Sequence, residues 1–209
     1  MSKVRVVDHP LIQHKLSLVR DRRTGHKEFR ELVEELALLV AFEATRDLRT
    51  HEVEVETPLM RTRGRSISTS GLAIVSILRA GLGMEPGIVR LLPTARVGHV
   101  GIERDSETLL PTVYYVKLPE DMAQREALIL DPMLATGGSA SACVRLLKEH
   151  GTRRFKFLCL IAAPEGIARL HTDHPEVEIY TAAVDERLDA HGYILPGLGD
   201  AGDRLFGTR

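Results

Sequence analysis

Residues 127–151 of the 209-residue chain read ALILDPMLATGGSASACVRLLKEHG. The opening apolar run, residues 127–130, is typical of a strand that is covered on both faces of a parallel sheet. Pro132 has no backbone N–H to donate, so the strand ends there. A Gly-rich turn follows, and apolar residues then recur at helical spacing as far as Gly151, a common helix stop signal. The stretch therefore predicts a strand, a tight turn and a helix.

The turn, residues 136–139, has the chemistry of a phosphate site. The first amides of a helix have no partner within the helix, and the helix dipole places partial positive charge beside them. Two glycines let the backbone approach an anion, and Thr136 and Ser139 add hydroxyl donors. Asp131 would repel a bare phosphate, but it suits a sugar hydroxyl or a hydrated Mg²⁺. A sugar phosphate satisfies both parts, although a well-capped structural turn is the alternative.

The nine residues 131–139, DPMLATGGS, resemble the phosphoribosyl diphosphate (PRPP) loop of the phosphoribosyltransferases. That family usually has two adjacent acids, whereas this chain has Asp131 followed by Pro132. The proline is typical of the branch that acts on uracil, so the resemblance narrows to the uracil phosphoribosyltransferases. The PRPP-binding residues that it implies here are Asp131, Pro132, Met133, Leu134, Ala135, Thr136, Gly137, Gly138 and Ser139.

The composition indicates an ordinary globular protein. With 209 residues, 44% apolar and 27% charged, the chain fits one domain that buries its own core. A formal net charge of −1 gives no general attraction to nucleic acid or anionic membranes. No secretory signal and no apolar run of about 20 residues is visible. Cys143 and Cys159 fit buried thiols better than a disulfide. We therefore expect a cytoplasmic protein with no membrane or nucleic-acid partner.

The amide content adds one expectation about the source. Asn is absent, Gln occurs only at Gln13 and Gln124, and Arg far outnumbers Lys. Loss of thermolabile amides is typical of heat adaptation, although a GC-rich genome also favours Arg. A thermophilic source is the resulting expectation.

The remaining pattern predicts an α/β fold in a single domain, residues 1–209. Residues 1–50 form a helical segment with two amphipathic helices. Residues 72–185 alternate short apolar strands with helices, as in a parallel sheet flanked by helices. Residues 186–209 form a C-terminal segment with little periodicity. The expected architecture is the Rossmann-like core of the phosphoribosyltransferases, to which the first segment, a β-arm and the C-terminal segment are added.

The β-arm is predicted between the helical segment and the sheet. Residues 52–56 alternate between Glu and Val, which predicts a half-exposed strand with one apolar face. Its acidic face is more typical of a solvated edge than of a metal site. Three alternating arginines follow, Arg61, Arg63 and Arg65. They indicate an arm that binds an anion or a neighbouring subunit, or equally an exposed edge strand guarded by charge.

A second Gly-rich loop, residues 79–87, follows the first buried strand. Gly81 and Gly83 partly fit a dinucleotide fingerprint, so an NAD-dependent dehydrogenase is one alternative. The third glycine falls one residue late, however, and Pro86 interrupts the first helical turn. Arg79 places a full cation beside exposed amides, which suits a diphosphate better.

The resemblance to the uracil enzymes implies further roles. Arg79 would contact the diphosphate of PRPP, and Arg104 would contact PRPP from a mobile cover over the site, which shields the reaction from water. Asp200 would face PRPP or its metal. Mg²⁺ is the implied cofactor, held mainly by PRPP and through water by Asp200. The candidate catalytic residues are Asp131, Arg79, Arg104 and Asp200.

The C-terminal segment carries two patterns that need care. Residues 197–202 match G-x-G-x-x-G, but only residues 203–209 remain, so no βαβ unit can follow. The Gly-rich backbone of this segment can hydrogen-bond the edge of a flat ring through its own N–H and C=O groups. The segment also resembles the uracil-binding tail of the family. A packed C-terminal arm is the alternative. The implied base contacts are Ile194, Gly199, Asp200 and Ala201.

One more cluster, residues 171–174, contains two His and an Asp. It lacks the second ligand group of a zinc site, so we expect a surface turn.

The predicted reaction converts uracil and PRPP to UMP and diphosphate. The family is usually at least dimeric, which implies a homodimer or homotetramer. Its members differ in activation by GTP, so a GTP activator stays open. The alternatives are a PRPP-sensing regulator, for which no nucleic-acid surface is visible, a purine-type transferase and the NAD enzyme. Diphosphate release with different bases would separate them.

Overall fold

The computed structural model describes residues 3–104 and 111–208, except for the side chain of Arg104. The α-helices are α1 (Pro10–Arg20), α2 (His26–Ala44), α3 (Glu85–Leu91), α4 (Gly138–Glu149), α5 (Pro164–Asp173) and α6 (Ala201–Phe206). The strands are β1 (Val4–Val6), β2 (Thr50–Glu56), β3 (Arg61–Ile67), β4 (Leu72–Leu78), β5 (Arg96–Arg104), β6 (Pro111–Lys117), β7 (Glu126–Leu130), β8 (Met133–Leu134), β9 (Arg154–Ala162), β10 (Glu178–Val184), β11 (Arg187–Leu188) and β12 (Ile194–Leu195). Short 3₁₀ turns occupy Ala80–Gly83 and Met122–Gln124.

An eight-stranded sheet forms the centre, in the order β1-β10-β9-β7-β4-β5-β6, and β8 pairs with β9. All its ladders are parallel except that between β5 and β6. Residues 105–110 alone separate these two strands, too few for the helical crossover that parallel pairing requires. The predicted α/β sheet is therefore confirmed, with an antiparallel strand at one edge.

Both faces of the sheet are covered, which explains the continuous apolar strands. In β4, Leu72 and Ile74 pack into the core shared with α1, α2, α3 and α6. The alternate residues Ala73, Val75 and Ile77 pack into the opposite core, with α4 and α5. Successive strand side chains point to opposite faces, so each strand contributes to both cores.

The segment predicted as helical, residues 1–50, also contains a strand. β1 extends the sheet at its edge by pairing with β10, with Val4 opposite Ile179. The sequence analysis missed β1 because three residues carry too little periodicity to be recognised.

The hairpin of β2 and β3 forms a separate two-stranded sheet. Its register places the acids of β2 opposite the arginines of β3, including Glu54 opposite Arg63. Val55 is exposed and Val53 is partly buried, so this chain leaves most of the apolar face uncovered. At the tip, Leu59 is 95% exposed and Met60 is 68% exposed. The predicted β-arm thus extends away from the core.

Cys143 and Cys159 are buried and free, as expected for thiols. Within the described residues, none of the helices has the length and apolar character needed to cross a bilayer.

Candidate active site

Two Gly-rich loops lie side by side because β4 and β7 are neighbours in the sheet. The loop after β4 begins at Arg79 and forms the 3₁₀ turn Ala80–Gly83. Gly81 rests against the end of β7: a Cβ atom at this position would lie only 2.4 Å from the carbonyl oxygen of Leu130. A side chain at residue 81 would therefore separate the two loops. The close approach explains one glycine that the sequence analysis assigned to an anion loop.

The predicted phosphate loop, residues 136–139, leads directly into α4. Gly137 precedes the helix with φ of 76°, a left-handed conformation that favours glycine. Because the N-cap residue is glycine, it has no side chain that could accept from the first amides of the helix. The first turn of α4 therefore has the geometry that an anion site requires, and a structural turn remains the alternative.

Arg169 of α5 lies beside this loop. A Cβ atom at Gly138 would be 3.8 Å from Nη1 of Arg169 and 3.6 Å from Oγ1 of Thr136. Helix α5 can approach the loop so closely because Gly166 has no side chain. A Cβ atom added at Gly166 would lie only 2.3 Å from the carbonyl oxygen of Ala135. Sequence reasoning missed Arg169, since an arginine on an exposed helical face carries no distinguishing signal.

Asp131 follows β7 and lies near enough to Asp200 for their charges to interact. Its Oδ1 atom accepts a hydrogen bond of 3.2 Å from the backbone N–H of Met133. The pKa of the Asp131 carboxyl is raised from 3.8 to about 7, first by desolvation and to a smaller extent by the charge of Asp200, against the lowering effect of that hydrogen bond. A neutral carboxylic acid can donate a hydrogen bond as well as accept one. Asp131 is thus suited to pair with a sugar hydroxyl near neutral pH.

Arg79 meets the C-terminal segment at the start of α6. Its Nη2 atom lies 3.6 Å from Oδ1 of Asp203, and its guanidinium carbon lies 5.5 Å from the centre of the Phe206 ring. A Cβ atom added at Gly202 would lie 3.3 Å from Oδ1 of Asp200 and 4.0 Å from Nη2 of Arg79, so these two side chains flank Gly202. The structure therefore brings three predicted residues, Arg79, Asp131 and Asp200, to one crevice. Asp203, which the sequence analysis did not select, holds the arginine there.

Asp200 has a structural role in this arrangement as well. It is the N-cap of α6, and its Oδ1 atom accepts a hydrogen bond of 2.9 Å from the backbone N–H of Asp203. A capping side chain fixes the entry of the chain into the helix. One carboxylate oxygen is thus committed to the helix, which orients the other.

A cavity of about 410 Å³ separates the phosphate loop from the C-terminal segment. Of the predicted base contacts, Gly199 and Asp200 line it. Ala201 follows Asp200 and Ile194 follows Tyr193 along the chain, but the side chains of Ile194 and Ala201 are buried in the core. The remaining lining residues are Met133, Ala135, His191, Gly192 and Tyr193. Sequence reasoning missed the last three, because residues 191–193 lie in an irregular segment without periodicity.

The predicted contact of Arg104 and the predicted cover over the site lie outside the described residues, apart from the backbone of Arg104 at the end of β5.

The cluster at residues 171–174 is not a surface turn, and that prediction was wrong. These residues end α5, and His174 is buried, with its Nε2 atom 3.0 Å from the carbonyl oxygen of Ser141. Ser141 also donates a hydrogen bond of 2.6 Å to Asp173, so Ser, His and Asp meet here. Because Ser141 and His174 are both buried, the cluster joins α4 to α5 and is unsuited to attack a substrate.

Among the residues that the structure describes, no three His, Cys, Asp or Glu side chains are grouped so that they could hold a metal.

Comparisons with known proteins agree with this geometry. The family model for uracil phosphoribosyltransferase matches residues 6–208. The uracil phosphoribosyltransferase of Symbiobacterium thermophilum is 62% identical over 209 residues, which is 100% of both chains. The structure of the AQ2163 protein from Aquifex aeolicus superposes with a TM-score of 0.92 at 40% identity and covers 98% of each chain.

A more distant structure shares the fold alone. Adenine phosphoribosyl transferase from Trypanosoma brucei has a TM-score of 0.58 at 12% identity, over 92% of this chain and 88% of its own. The fold is therefore that of the phosphoribosyltransferases, and the full-length matches at higher identity establish that this chain belongs to the uracil phosphoribosyltransferase family.

Proposed function

We propose that the protein transfers the ribose 5-phosphate group of PRPP to uracil in pyrimidine salvage, with UMP and diphosphate as products. The observation that carries this proposal is the meeting of two anion loops and the C-terminal segment at one crevice. Each feature matches one part of the reactants: residues 136–139 the 5′-phosphate, Arg79 the diphosphate, and the cavity beside Gly199 the base.

The 5′-phosphate would bind at the N-terminal end of α4. Backbone amides at a helix N-terminus donate to phosphate oxygens, and the helix dipole adds favourable charge. Thr136 and Ser139 supply hydroxyl groups. Arg169 would supply the full cation that this loop otherwise lacks, because its Nη1 atom lies beside Gly138. Asp131 would bind a ribose hydroxyl.

Catalysis would rest on positioning and on charge stabilisation. The bond between C1′ and the diphosphate oxygen breaks, the bond between C1′ and N1 of uracil forms, and the N1 proton passes to solvent water. Negative charge grows on the departing diphosphate, where Arg79 would stabilise it; Arg104 is proposed for the same role from the resemblance. No protein nucleophile is needed, and the cysteines are buried.

Mg²⁺ is proposed as the cofactor. This ion usually keeps several waters and binds through one or two carboxylates together with substrate phosphates. Asp200, at the start of α6, is the carboxylate proposed to contact the ion through water, while PRPP would hold most of it. When bound, Mg²⁺ would neutralise charge on the diphosphate.

Asp200→Asn tests the role of Asp200 towards the metal. Asn caps a helix about as well as Asp, so α6 should keep its start. We expect slower turnover and a higher Mg²⁺ requirement. Full turnover with unchanged Mg²⁺ dependence would remove Asp200 from this role.

A homodimer or homotetramer is proposed as the assembled form. Its support is the β2–β3 arm, whose apolar tip residues Leu59 and Met60 are exposed in the single chain. Exposed apolar side chains grouped on a projecting arm are typical of subunit contacts. Sedimentation of the full chain measures its mass directly, and addition of GTP to the activity assay tests the open question of activation.

The function itself is tested by diphosphate release from PRPP in the presence of different bases. Uracil should support turnover, whereas guanine and hypoxanthine should not. Turnover with a purine would instead identify a purine-type transferase. PRPP binding without turnover on any base would indicate a regulator. Binding of a nicotinamide dinucleotide would instead support the alternative of an NAD-dependent dehydrogenase.

A further inference from the structure

Three polar side chains meet beside residues 79–84, the part of the predicted diphosphate loop that precedes α3. The hydroxyl of Ser76 on β4 donates a hydrogen bond of 2.7 Å to Oε2 of Glu85, the first residue of α3. The Nε2 atom of His99 on β5 lies 2.9 Å from the same oxygen. We call Ser76, Glu85 and His99 the Glu85 cluster.

The chemistry of the Glu85 cluster assigns the donors. An ionised carboxylate has only acceptor oxygens, so Nε2 of His99 donates, either from the neutral ring that carries its proton there or from the imidazolium. Ser76 is fully buried in an otherwise apolar strand, and the side chain of Glu85 is 21% exposed. Hydrogen bonds to a carboxylate are among the stronger ones, and a buried hydroxyl that loses its partner is costly.

The Glu85 cluster fixes the two ends of the loop to the same strand. The chain leaves β4 at Leu78 and enters α3 at Glu85, whose side chain reaches back to Ser76. The middle of the loop lies over the same residue, because a Cβ atom added at Gly81 would be 3.3 Å from the Cα atom of Ser76. Arg79 is therefore carried by a loop that is anchored at its start, its middle and its end.

The helix that carries Glu85 is also held from its other side. A Cβ atom added at Gly87 would lie only 2.4 Å from the carbonyl oxygen of Glu34, so α3 packs against α2 without an intervening side chain. On the sheet, Ser76 and His99 are paired in register on neighbouring strands, and both bond to Glu85. A displacement of α3 would break these contacts, so the end of the loop has one position.

We propose that Glu85 is a positioning residue for the transfer reaction: through Ser76 and His99 it fixes the loop that directs Arg79 at the diphosphate of PRPP. The inference rests on the proposed function. The side chain of Arg79 is 55% exposed, so its direction depends on the backbone that carries it as well as on the ion pair with Asp203. A cation stabilises a leaving group best when it is already in place before the reaction, and small displacements are costly. Glu85 acts through Arg79 and not through a contact with the substrate.

The test uses two probes, inorganic diphosphate and ribose 5-phosphate, each titrated calorimetrically into the full-length protein at constant Mg²⁺. Diphosphate reports on the loop that carries Arg79, and ribose 5-phosphate reports on residues 136–139. Glu85→Ala removes the acceptor of both hydrogen bonds, whereas Glu85→Gln keeps an oxygen that accepts from both donors. The matched control is Glu28→Ala, which removes an exposed acid from the first turn of α2.

We expect Glu85→Ala to bind diphosphate about tenfold more weakly than the wild type, as for loss of charge-assisted hydrogen bonds. Its affinity for ribose 5-phosphate should be unchanged, and kcat/KM for PRPP should fall by at least the same factor as diphosphate affinity. Glu85→Gln should recover most of the lost affinity, and Glu28→Ala should match the wild type. Ser76→Ala should show the same selectivity with a smaller loss, and it replaces Glu85→Ala if that variant does not fold.

A double variant separates the Glu85 cluster from independent effects. Ser76→Ala combined with Glu85→Ala should bind diphosphate no more weakly than Glu85→Ala alone, because both substitutions remove the same hydrogen bond.

Three results would overturn the proposal. Wild-type diphosphate affinity in Glu85→Ala would show that the loop keeps its position without the Glu85 cluster. An equal loss of affinity for both probes would show that Glu85 acts through the stability of the whole site. No recovery in Glu85→Gln would refute positioning through these hydrogen bonds. Failure of the proposed function is recognised separately, since the wild type would then make no UMP from uracil and PRPP, whatever the diphosphate affinities of the variants.

Discussion

The Nη2 atom of Arg79 lies 3.6 Å from the Oδ1 atom of Asp203 and ties the proposed diphosphate loop to α6. The side chain of Arg79 is 55% exposed, so the pair contributes little to folding stability. The ion pair instead positions the guanidinium of Arg79 beside Asp200, the N-cap residue of α6.

Asp203→Asn should therefore affect catalysis more than stability. We expect KM for PRPP to rise by about three- to tenfold and kcat to fall, because a misdirected cation stabilises the leaving group less well. The free energy of unfolding should change by less than about 1 kcal/mol. Steady-state kinetics and urea denaturation measure the two quantities. An unchanged KM with a large loss of stability would show that Asp203 acts only as a helix residue.

Asp131 should give the protein a measurable pH dependence. The pKa of its carboxyl is about 7 in the folded state, whereas 3.8 is expected for the unfolded chain. Between these values the folded state holds a proton that the unfolded state has lost, so stability falls as pH rises from about 4 to about 7.

Asp131→Asn removes this titration. The variant should gain stability relative to the wild type as the pH rises through that window, and the difference should be constant above it. Urea denaturation at several pH values measures the effect. The pH profile of kcat/KM for PRPP should also lose an inflection near pH 7. Parallel stability curves for the two proteins would contradict the raised pKa.

Arg169→Ala tests the cation beside the phosphate loop. We expect KM for PRPP to rise by about three- to tenfold, with a weaker dependence of KM on salt, since one charge-assisted contact is lost at a partly exposed site. Arg145→Ala on the exposed face of α4 removes the same charge at a distance from the crevice and serves as the control. Equal effects of the two variants would show that Arg169 acts only through the overall charge of the protein and does not contact the phosphate.

Gly81→Ala should disrupt both anion loops at once. Its Cβ atom would lie 2.4 Å from the carbonyl oxygen of Leu130, too close for any relaxation within one loop alone. We expect kcat/KM to fall by about 100-fold, because small displacements of catalytic groups are costly. Gly71→Ala, where nothing lies within 4 Å of the added atom, should be tolerated. Wild-type activity of Gly81→Ala would show that the two loops need not be in contact.

Local patterns predicted which residues lie close together wherever a strand, a turn and a helix followed one another. Thr136, Arg79 and Asp131 stand at strand ends, and parallel strands bring such ends to the same edge. Asp203 and Arg169 could not be selected in this way. Their importance depends on which helix packs against which loop, and that is decided by contacts distant in the sequence.

The fold was predictable to a similar degree. Continuous apolar strands indicated a covered parallel sheet, but β1 was too short to detect and β6 pairs in the opposite direction. His174 was also mispredicted. Its polar neighbours in the sequence suggested a surface turn, whereas packing of α5 on α4 buries its side chain. Burial of a polar side chain follows from partners that a local pattern does not contain.

The contact between Gly81 and the carbonyl oxygen of Leu130 also bears on how such enzymes diversify. Because this contact involves only main-chain atoms, the distance between the two predicted anion loops is set by the backbone and not by side chains. Under the proposed function, substitutions at residues 191–200 would change which nucleobase is accepted, while the backbone keeps the distance between the proposed phosphate and diphosphate sites constant.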